Sequence, residues 1–274
     1  MNFDKFNEKL SEREVIFHDK WANLENINNI DVYKLFESIT AVENKFIISH
    51  MGTLKDKKLL DIGCGLGESS VYFALNGAEV TAVDISPEMV KFTNKLSKKY
   101  NVVIQSMVCS ATEMNFEHNF FDFIYCANLL HHLPVSDRFL FLNKVQKFLK
   151  NKGWFYSWDP LAYNPVINVY RRNANRVRSI DETPLKFNIL KDFNKNFSKV
   201  YHREFWLTTL VLFLKYYFVD KYDPNKIRYW KEIYKERTNN IGWWFNTLQK
   251  IDNLLLKLPY LNKLAWNIVI CAQK

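Results

Sequence analysis

The sequence predicts an α/β protein: a doubly wound, seven-stranded sheet with a helical N-terminal segment and helical cap insertions. Two observations predict it. Between residues 58 and 158, short apolar runs alternate with stretches of helical periodicity, the rhythm of parallel strands with helices on both faces. The first apolar run ends in Gly63-Cys64-Gly65-Leu66-Gly67, and a strand that enters a glycine turn and then a helix is a ligand-binding arrangement. Right-handed crossovers place the carboxyl end of every such strand at one edge of the sheet, where ligands bind.

The elements follow in order. Residues 1–55 read as helices, with Phe3, Phe6 and Leu10, then Tyr33, Leu35, Phe36 and Ile39, at helical spacing. They are expected to form an N-terminal lid. Strands are predicted over 58–62, 79–83, 102–108, 121–126 and 154–158. Helices are predicted over 69–76, stopped by Gly77, and over 87–99 and 136–149. After Asp159 the pattern changes. A basic amphipathic helix is expected over 164–178, a short helix over 190–197, and strands over 199–206 and 265–272. The predicted core is therefore 56–206 with 264–274, carrying helical insertions at 160–185 and 207–263.

Composition narrows the class. The chain has 274 residues, 48% of them hydrophobic and 16% aromatic, which excludes a disordered chain and permits a large core. The formal charge of +9 favours anionic partners, but no long Lys/Arg run concentrates it. Cys64, Cys109, Cys126 and Cys271 form no C-x-x-C pair and read as reduced core thiols rather than a zinc site or disulfide framework. The N-terminus lacks an apolar secretory core, so a cytoplasmic location is expected. Segment 205–218 is broken by Lys215 and too short to span a bilayer. With 251–266, where leucines alternate with Lys257 and Lys263, it suits either a buried cap or peripheral contact at the inner membrane surface.

The glycine turn carries the chemistry. Glycines permit positive φ and let a ligand approach the backbone, and the following helix offers free N–H groups to an anion. A dinucleotide fingerprint needs G-x-G-x-x-G; here the third glycine falls early, at Gly67, and Glu68 takes its place. The next strand ends in Val83-Asp84-Ile85, where a carboxylate can accept both hydroxyls of a ribose.

At these residues the chain resembles the class I S-adenosylmethionine-dependent methyltransferases, small-molecule type, whose sheet is Rossmann-like. Asp61, Gly63, Gly65 and Gly67 match their first motif, and Asp84 the ribose ligand. Phe121-Asp122-Phe123-Ile124 matches their fourth strand, followed by Asn128-Leu129-Leu130-His131-His132-Leu133. The resemblance covers about residues 55–160. It implies S-adenosylmethionine as cofactor, leaving S-adenosylhomocysteine as product. Gly63, Cys64 and Gly65 would lie against the methionine moiety, with Asp61 under its amino group. Asp84 and Ile85 would hold the ribose and one adenine face, and Ser110, Ala111 and Thr112 the adenine edge. Many relatives have Asp where this chain has Ser110, a weaker acceptor. Asn128 and Leu129 would lie near the sulfonium.

Methyl transfer from a sulfonium is an in-line displacement in which alignment does most of the work; a base helps only where the acceptor carries a proton. His131 and His132 after the fourth strand and Asp159 at the end of the fifth are the catalytic candidates, each alternatively a packing or capping group. Asp159-Pro160-Leu161-Ala162-Tyr163 has the look of a D-P-P-Y signature, but follows the wrong strand. No metal is expected, because the sequence places no carboxylate beside the histidines and Asn128 stands where a ligand would be needed. His18 and Trp21 in the lid, with Tyr170, Arg171 and Arg178 on the basic helix, are the substrate candidates. Arg171 and Arg178, seven apart, would share a face and clamp an anion.

The expected function is methyl transfer to a small-molecule or lipid acceptor, apolar and anionic, with no nucleic acid favoured. An RNA or protein methyltransferase using the basic surface is one alternative, and a non-catalytic S-adenosylmethionine-binding protein another. The sequence does not specify the acceptor atom or the oligomeric state.

Overall fold

In a computed structural model, residues 3–179, 181–236 and 238–274 are described. Met1 and Asn2 of the predicted lid, Ile180 of the first insertion and Arg237 of the second lie outside them. Seven strands form one sheet: β1 (Lys58–Ile62), β2 (Glu79–Asp84), β3 (Ile104–Val108), β4 (Phe121–Ala127), β5 (Leu149–Pro160), β6 (Lys199–Phe205) and β7 (Asn267–Gln273). Their order is β3-β2-β1-β4-β5-β7-β6. The helices are α1 (Phe3–Leu24), α2 (Lys34–Glu37), α3 (Val42–Met51), α4 (Glu68–Leu75), α5 (Pro87–Lys99), α6 (Val135–Phe148), α7 (Pro165–Asn173), α8 (Ile189–Asn196), α9 (Val211–Phe218), α10 (Tyr229–Glu232) and α11 (Thr238–Leu255).

Alternation along the strands builds the layers. Leu59, Tyr125, Tyr156 and Val269 face one core, while Leu60, Ile62, Ile124, Phe155 and Ile270 face another, as a period of two requires. Residues β1 through β5 are parallel, but β7 is antiparallel to both β5 and β6. The alternating stretch thus gives the parallel strands expected of it, while β7 returns beside β6 as the second arm of a long hairpin, so no crossover turns it round. Strand order reverses between β1 and β4, and at such a switch point the connections leave in opposite directions and open a crevice.

One expectation is corrected. The basic helix stops at Asn173, and the fully buried Ala174 follows it. Arg178 therefore leaves the helix and does not share a face with Arg171. Segments 205–218 and 251–266 are each divided between elements. The first divides into the end of β6, a 3-10 turn at Thr208–Leu210 and α9; the second into the end of α11 and a 3-10 turn at Asn262–Leu264. Leu212, Phe213 and Tyr216 of α9 are buried, whereas Leu214, Tyr217 and Phe218 are exposed. Among the described residues, no helix is long and apolar enough to cross a membrane.

The second insertion is tied at its base. The Asp252 carboxylate on α11 accepts the Leu207 and Thr208 amides and the Thr208 and Thr209 hydroxyls. A buried carboxylate with this many donors satisfies the free amides of the short helix it caps. On α3, Asn44 accepts the Tyr125 hydroxyl at 2.7 Å and the Trp158 indole at 3.0 Å, while Glu43 accepts the Asn267 amide at 2.6 Å. Glu43 is 1% exposed, and burial pushes its carboxyl up to about 7 despite that hydrogen bond.

A raised carboxyl stabilises the fold in its protonated form. That contribution is complete below the ordinary value of 4.5 and is lost as pH rises through about 7. Glu43→Gln, which keeps the shape without the ionisation, is expected to melt several degrees above the parent at pH 8.5. The shift corresponds to roughly 3–4 kcal/mol. The gap should close as the pH is lowered to 5, followed by thermal unfolding monitored by circular dichroism.

Candidate functional site

The turn after β1 is set by its glycines. Gly63, Gly65 and Gly67 have φ of +72°, +56° and +83°, conformations that side chains adopt at a cost. The Gly63 and Cys64 amides donate to the Val83 carbonyl, and the Gly65 amide donates to Asp84 at 2.9 Å. The turn is thereby stitched to the end of β2. A Cβ on Gly67 would meet Thr93 at 2.7–2.9 Å, its backbone Cα included, and one on Gly63 would meet Leu129 at 3.1 Å. A Cβ on Gly65 would meet nothing within 4 Å, because that residue faces open space.

The open space is a cavity of about 1230 Å³ at the carboxyl edge of the strands. A single small-molecule pocket holds roughly 300–1,000 Å³, so this one has room for two ligands. Gly63, Cys64, Gly65, Asp84, Ile85, Ser110, Ala111, Thr112, Asn128 and Leu129 all line it. Ser110 and Thr112 share a hydroxyl contact at 2.9 Å. Asp84 accepts the Gly65 and Ser86 amides on its two oxygens. Asp61 and Gly67 stand behind the wall. The Asp61 carboxylate accepts the Ser69 and Ser70 hydroxyls at 2.6 Å, and burial pushes it up to about 6. Burial also raises the Cys64 thiol well above its ordinary value, so Cys64 is a neutral wall group and not a nucleophile.

At the far end the lining becomes aromatic and ionisable. Tyr125, Trp158, Tyr170, Tyr234 and Trp266 supply an apolar chamber. The Tyr170 hydroxyl and Arg171 Nη2 are buried without hydrogen-bond partners. Burial pushes the Tyr170 phenol up to about 12 and the Arg171 guanidinium down to about 10. Arg178 also lines the cavity but is ion-paired to Glu182. His131 Nδ1 lies 2.8 Å from Asp159 Oδ1, which also accepts the His131 amide at 3.1 Å. Burial pushes the Asp159 carboxyl up to about 7 and the His131 imidazole well down. The pair thus holds a neutral imidazole in one orientation, with one ring nitrogen committed to Asp159.

α1 forms the roof. Asp19 accepts the Ser86 hydroxyl and the Glu88 amide at the start of α5, and Trp21 donates to Glu25 at 2.7 Å. The Arg228 guanidinium and Lys231 ammonium lie 4.2 and 4.5 Å from the Trp21 ring centroid, and both also approach Glu25. Glu14 Oε2 stands 3.0 Å from His132 Nδ1 and 3.4 Å from His18 Nε2. Burial alone would raise the Glu14 carboxyl, but His132 and His18 outweigh it and hold it well below the usual carboxylate range. Every candidate from the sequence except Asp61 and Gly67 thus borders one cavity or, for Asp159, holds a residue that does. Glu14, Glu182, Arg228 and Lys231 were not singled out. For Glu14 a signal existed: it lies four residues before His18, hence on the same helical face.

Comparison with known proteins agrees with this geometry. Residues 60–157 match the family model described as a methyltransferase domain. Over these residues the chain carries a methyltransferase domain. The domain is 26% identical over 139 residues to a ubiquinone biosynthesis O-methyltransferase of Nitrosomonas europaea, covering 50% of this chain and 58% of the relative. The chain spans about half the length of the curated relatives it matches. Among solved structures, a SAM-dependent methyltransferase from Archaeoglobus fulgidus superposes with a TM-score of 0.55 at 18% identity, over 88% of this chain and 97% of that one. A Haemonchus contortus phosphoethanolamine N-methyltransferase, in complex with phosphomonomethylethanolamine and S-adenosylhomocysteine, gives 0.57 at 17% identity, over 85% and 52%. At these identities the superpositions show the methyltransferase fold.

The packing of the methyltransferase motif separates its glycines. Gly67→Ala would place a Cβ against the Thr93 backbone in a left-handed conformation, and is expected to cost about 3 kcal/mol or more. A melting temperature lowered by several degrees, measured by differential scanning calorimetry, is the predicted outcome.

Proposed function

We propose that the protein is an S-adenosylmethionine-dependent methyltransferase acting on a hydroxyl of a small, largely apolar acceptor. The observation that carries the reading is the single cavity in which the glycine turn and Asp84 occupy one end and the His131–Asp159 pair borders the other. Open space over Gly65 suits a cofactor pressed on the backbone. When bound, S-adenosylmethionine supplies a methyl group on a sulfonium that is already activated.

The chain's own residues then divide the work. Asp84 holds the ribose hydroxyls, and the glycine turn with Asn128 and Leu129 fixes the methionine end. Ser110, Ala111 and Thr112 border the adenine. The roof formed by α1, with His18 and Trp21, excludes water from the displacement. His131, oriented by Asp159, receives the acceptor's proton, the task for which a neutral imidazole is suited. Tyr125, Trp158, Tyr234 and Trp266 receive an apolar acceptor body, and the unpartnered Tyr170 hydroxyl and Arg171 Nη2 suit an oxygen-bearing group on it. The name of the Nitrosomonas europaea relative supports an oxygen acceptor. The cations that face the cavity favour a small molecule over RNA, because Arg178 is paired to Glu182 while Arg228 and Lys231 share Glu25. Exposed Leu214, Phe218, Leu254 and Tyr260 are the groups through which a peripheral membrane contact would be made.

Titration calorimetry with S-adenosylhomocysteine is the first test. Micromolar-range binding is expected, and Asp84→Asn should weaken it at least tenfold, the loss of a charge-assisted pair of hydrogen bonds. No binding by cooperatively folded protein would refute the cofactor assignment. Once an acceptor is in hand, His131→Gln should lower kcat by about 10²- to 10⁴-fold while S-adenosylhomocysteine affinity stays within twofold. An unchanged kcat would remove His131 from the chemistry.

A further inference from the structure

The roof of the cavity contains an arrangement that methyl transfer does not require. Glu14 and His18 from α1 meet His132 from the loop after β4, and their ligand-type atoms all lie within 4.8 Å of one another. A second triplet, His131, His132 and Glu182, shares His132. All five side chains line the cavity. The sequence argued against a metal because no carboxylate stood beside the histidines. Folding overturns that premise by bringing Glu14 and Glu182 from distant segments.

From these residues we infer that Glu14, His18 and His132 form a binding site for a divalent transition-metal ion of the zinc class, which bridges α1 to the loop after β4.

Three features point to a cation rather than to a hydrogen-bonded cluster. The first is convergence. Glu14 Oε2 and His132 Nδ1 form a buried pair 3.0 Å apart that is close in distance but poorly aligned as donor and acceptor. Such an arrangement also suits two lone pairs that face a third body. The second is spacing. Ligands held tetrahedrally at about 2.0–2.1 Å from zinc are about 3.3 Å apart; the Glu14–His132 and Glu14–His18 separations are 3.0 and 3.4 Å. The third is support. The other Glu14 oxygen accepts the Ser179 hydroxyl, which fixes the carboxylate's rotation as outer partners of metal ligands do.

The donor set selects the ion. Two imidazoles and one carboxylate suit zinc and its first-row neighbours, whereas magnesium and calcium prefer oxygen alone. Three protein ligands leave a coordination position unfilled, as in sites that take water or an oxygen-bearing ligand. Such an ion would fasten the roof at the cavity that accommodates the acceptor. The inference stands apart from the methyl-transfer reading, since it uses none of the cofactor-binding residues.

Chelator-treated full-length protein titrated with cobalt(II) alone tests it. One equivalent is expected to bind at micromolar concentration or tighter, with the strong visible absorption of a low-coordinate cobalt site, and zinc should displace it. Glu14→Gln and His18→Ala, made separately so that a folding defect in one does not decide the matter, should each weaken binding at least tenfold. His202→Ala, at the separate His202–Glu204 pair on β6, should leave it unchanged. Less than one equivalent, or equal binding by parent and both variants, would overturn the inference. S-adenosylhomocysteine titration of the same samples reads the cofactor site independently.

Discussion

Everything at the active edge depends on how the chain leaves β1. Three alternate glycines with positive φ carry the backbone across the end of β2, and Val83 and Asp84 receive its amides. The turn cannot move outward without breaking those bonds, nor inward, because Thr93 fills the space beneath Gly67. Its position fixes the first turn of α4 and thereby the buried Asp61, whose carboxylate is held by Ser69 and Ser70. The crevice between β1 and β4 is then a consequence of strand order, and the turn forms its floor.

The roof is assembled differently. α1 contributes no strand; Ala22 and Trp21 pack in a cluster with Leu66, Met89 and Phe92, and polar contacts reach partners far along the chain. Asp19 meets the start of α5, Glu14 meets Ser179 and His132, and Arg13 meets Asp181. Contacts of this kind are individually modest. Buried charge at Glu14 makes the roof sensitive to what it is paired with, since a carboxylate withdrawn from water needs compensation. The floor is placed by backbone geometry, and the roof by side-chain contacts.

This division explains what was legible in the sequence. The glycine turn, Asp84, the strand Phe121–Ala127 and His131 could be read because each is defined by near neighbours and by a periodicity that survives without tertiary context. The partnership of His131 with Asp159 was half-legible, since both follow strands whose carboxyl ends must share an edge. Glu14 and Glu182 were not, because their meeting with His132 is set by the docking of α1 and by the path of the chain after Asn173. Arg171 and Arg178 were misjudged for the same reason: a helical spacing extends only as far as the helix, which ends at Asn173.

The hairpin between β6 and β7 has a consequence for how such proteins diversify. Phe205 and Asn267 face each other across the sheet, so everything between them departs and returns at one point. Asp252 fastens that point from within. Because closing a longer loop costs little more than closing a short one, this stretch behaves as an exchangeable cassette. It also supplies Arg228, Trp230, Lys231, Tyr234 and Trp266 to the cavity wall. The portion of the chain that shapes the far chamber is therefore the portion most easily replaced, leaving the glycine turn and Asp84 untouched.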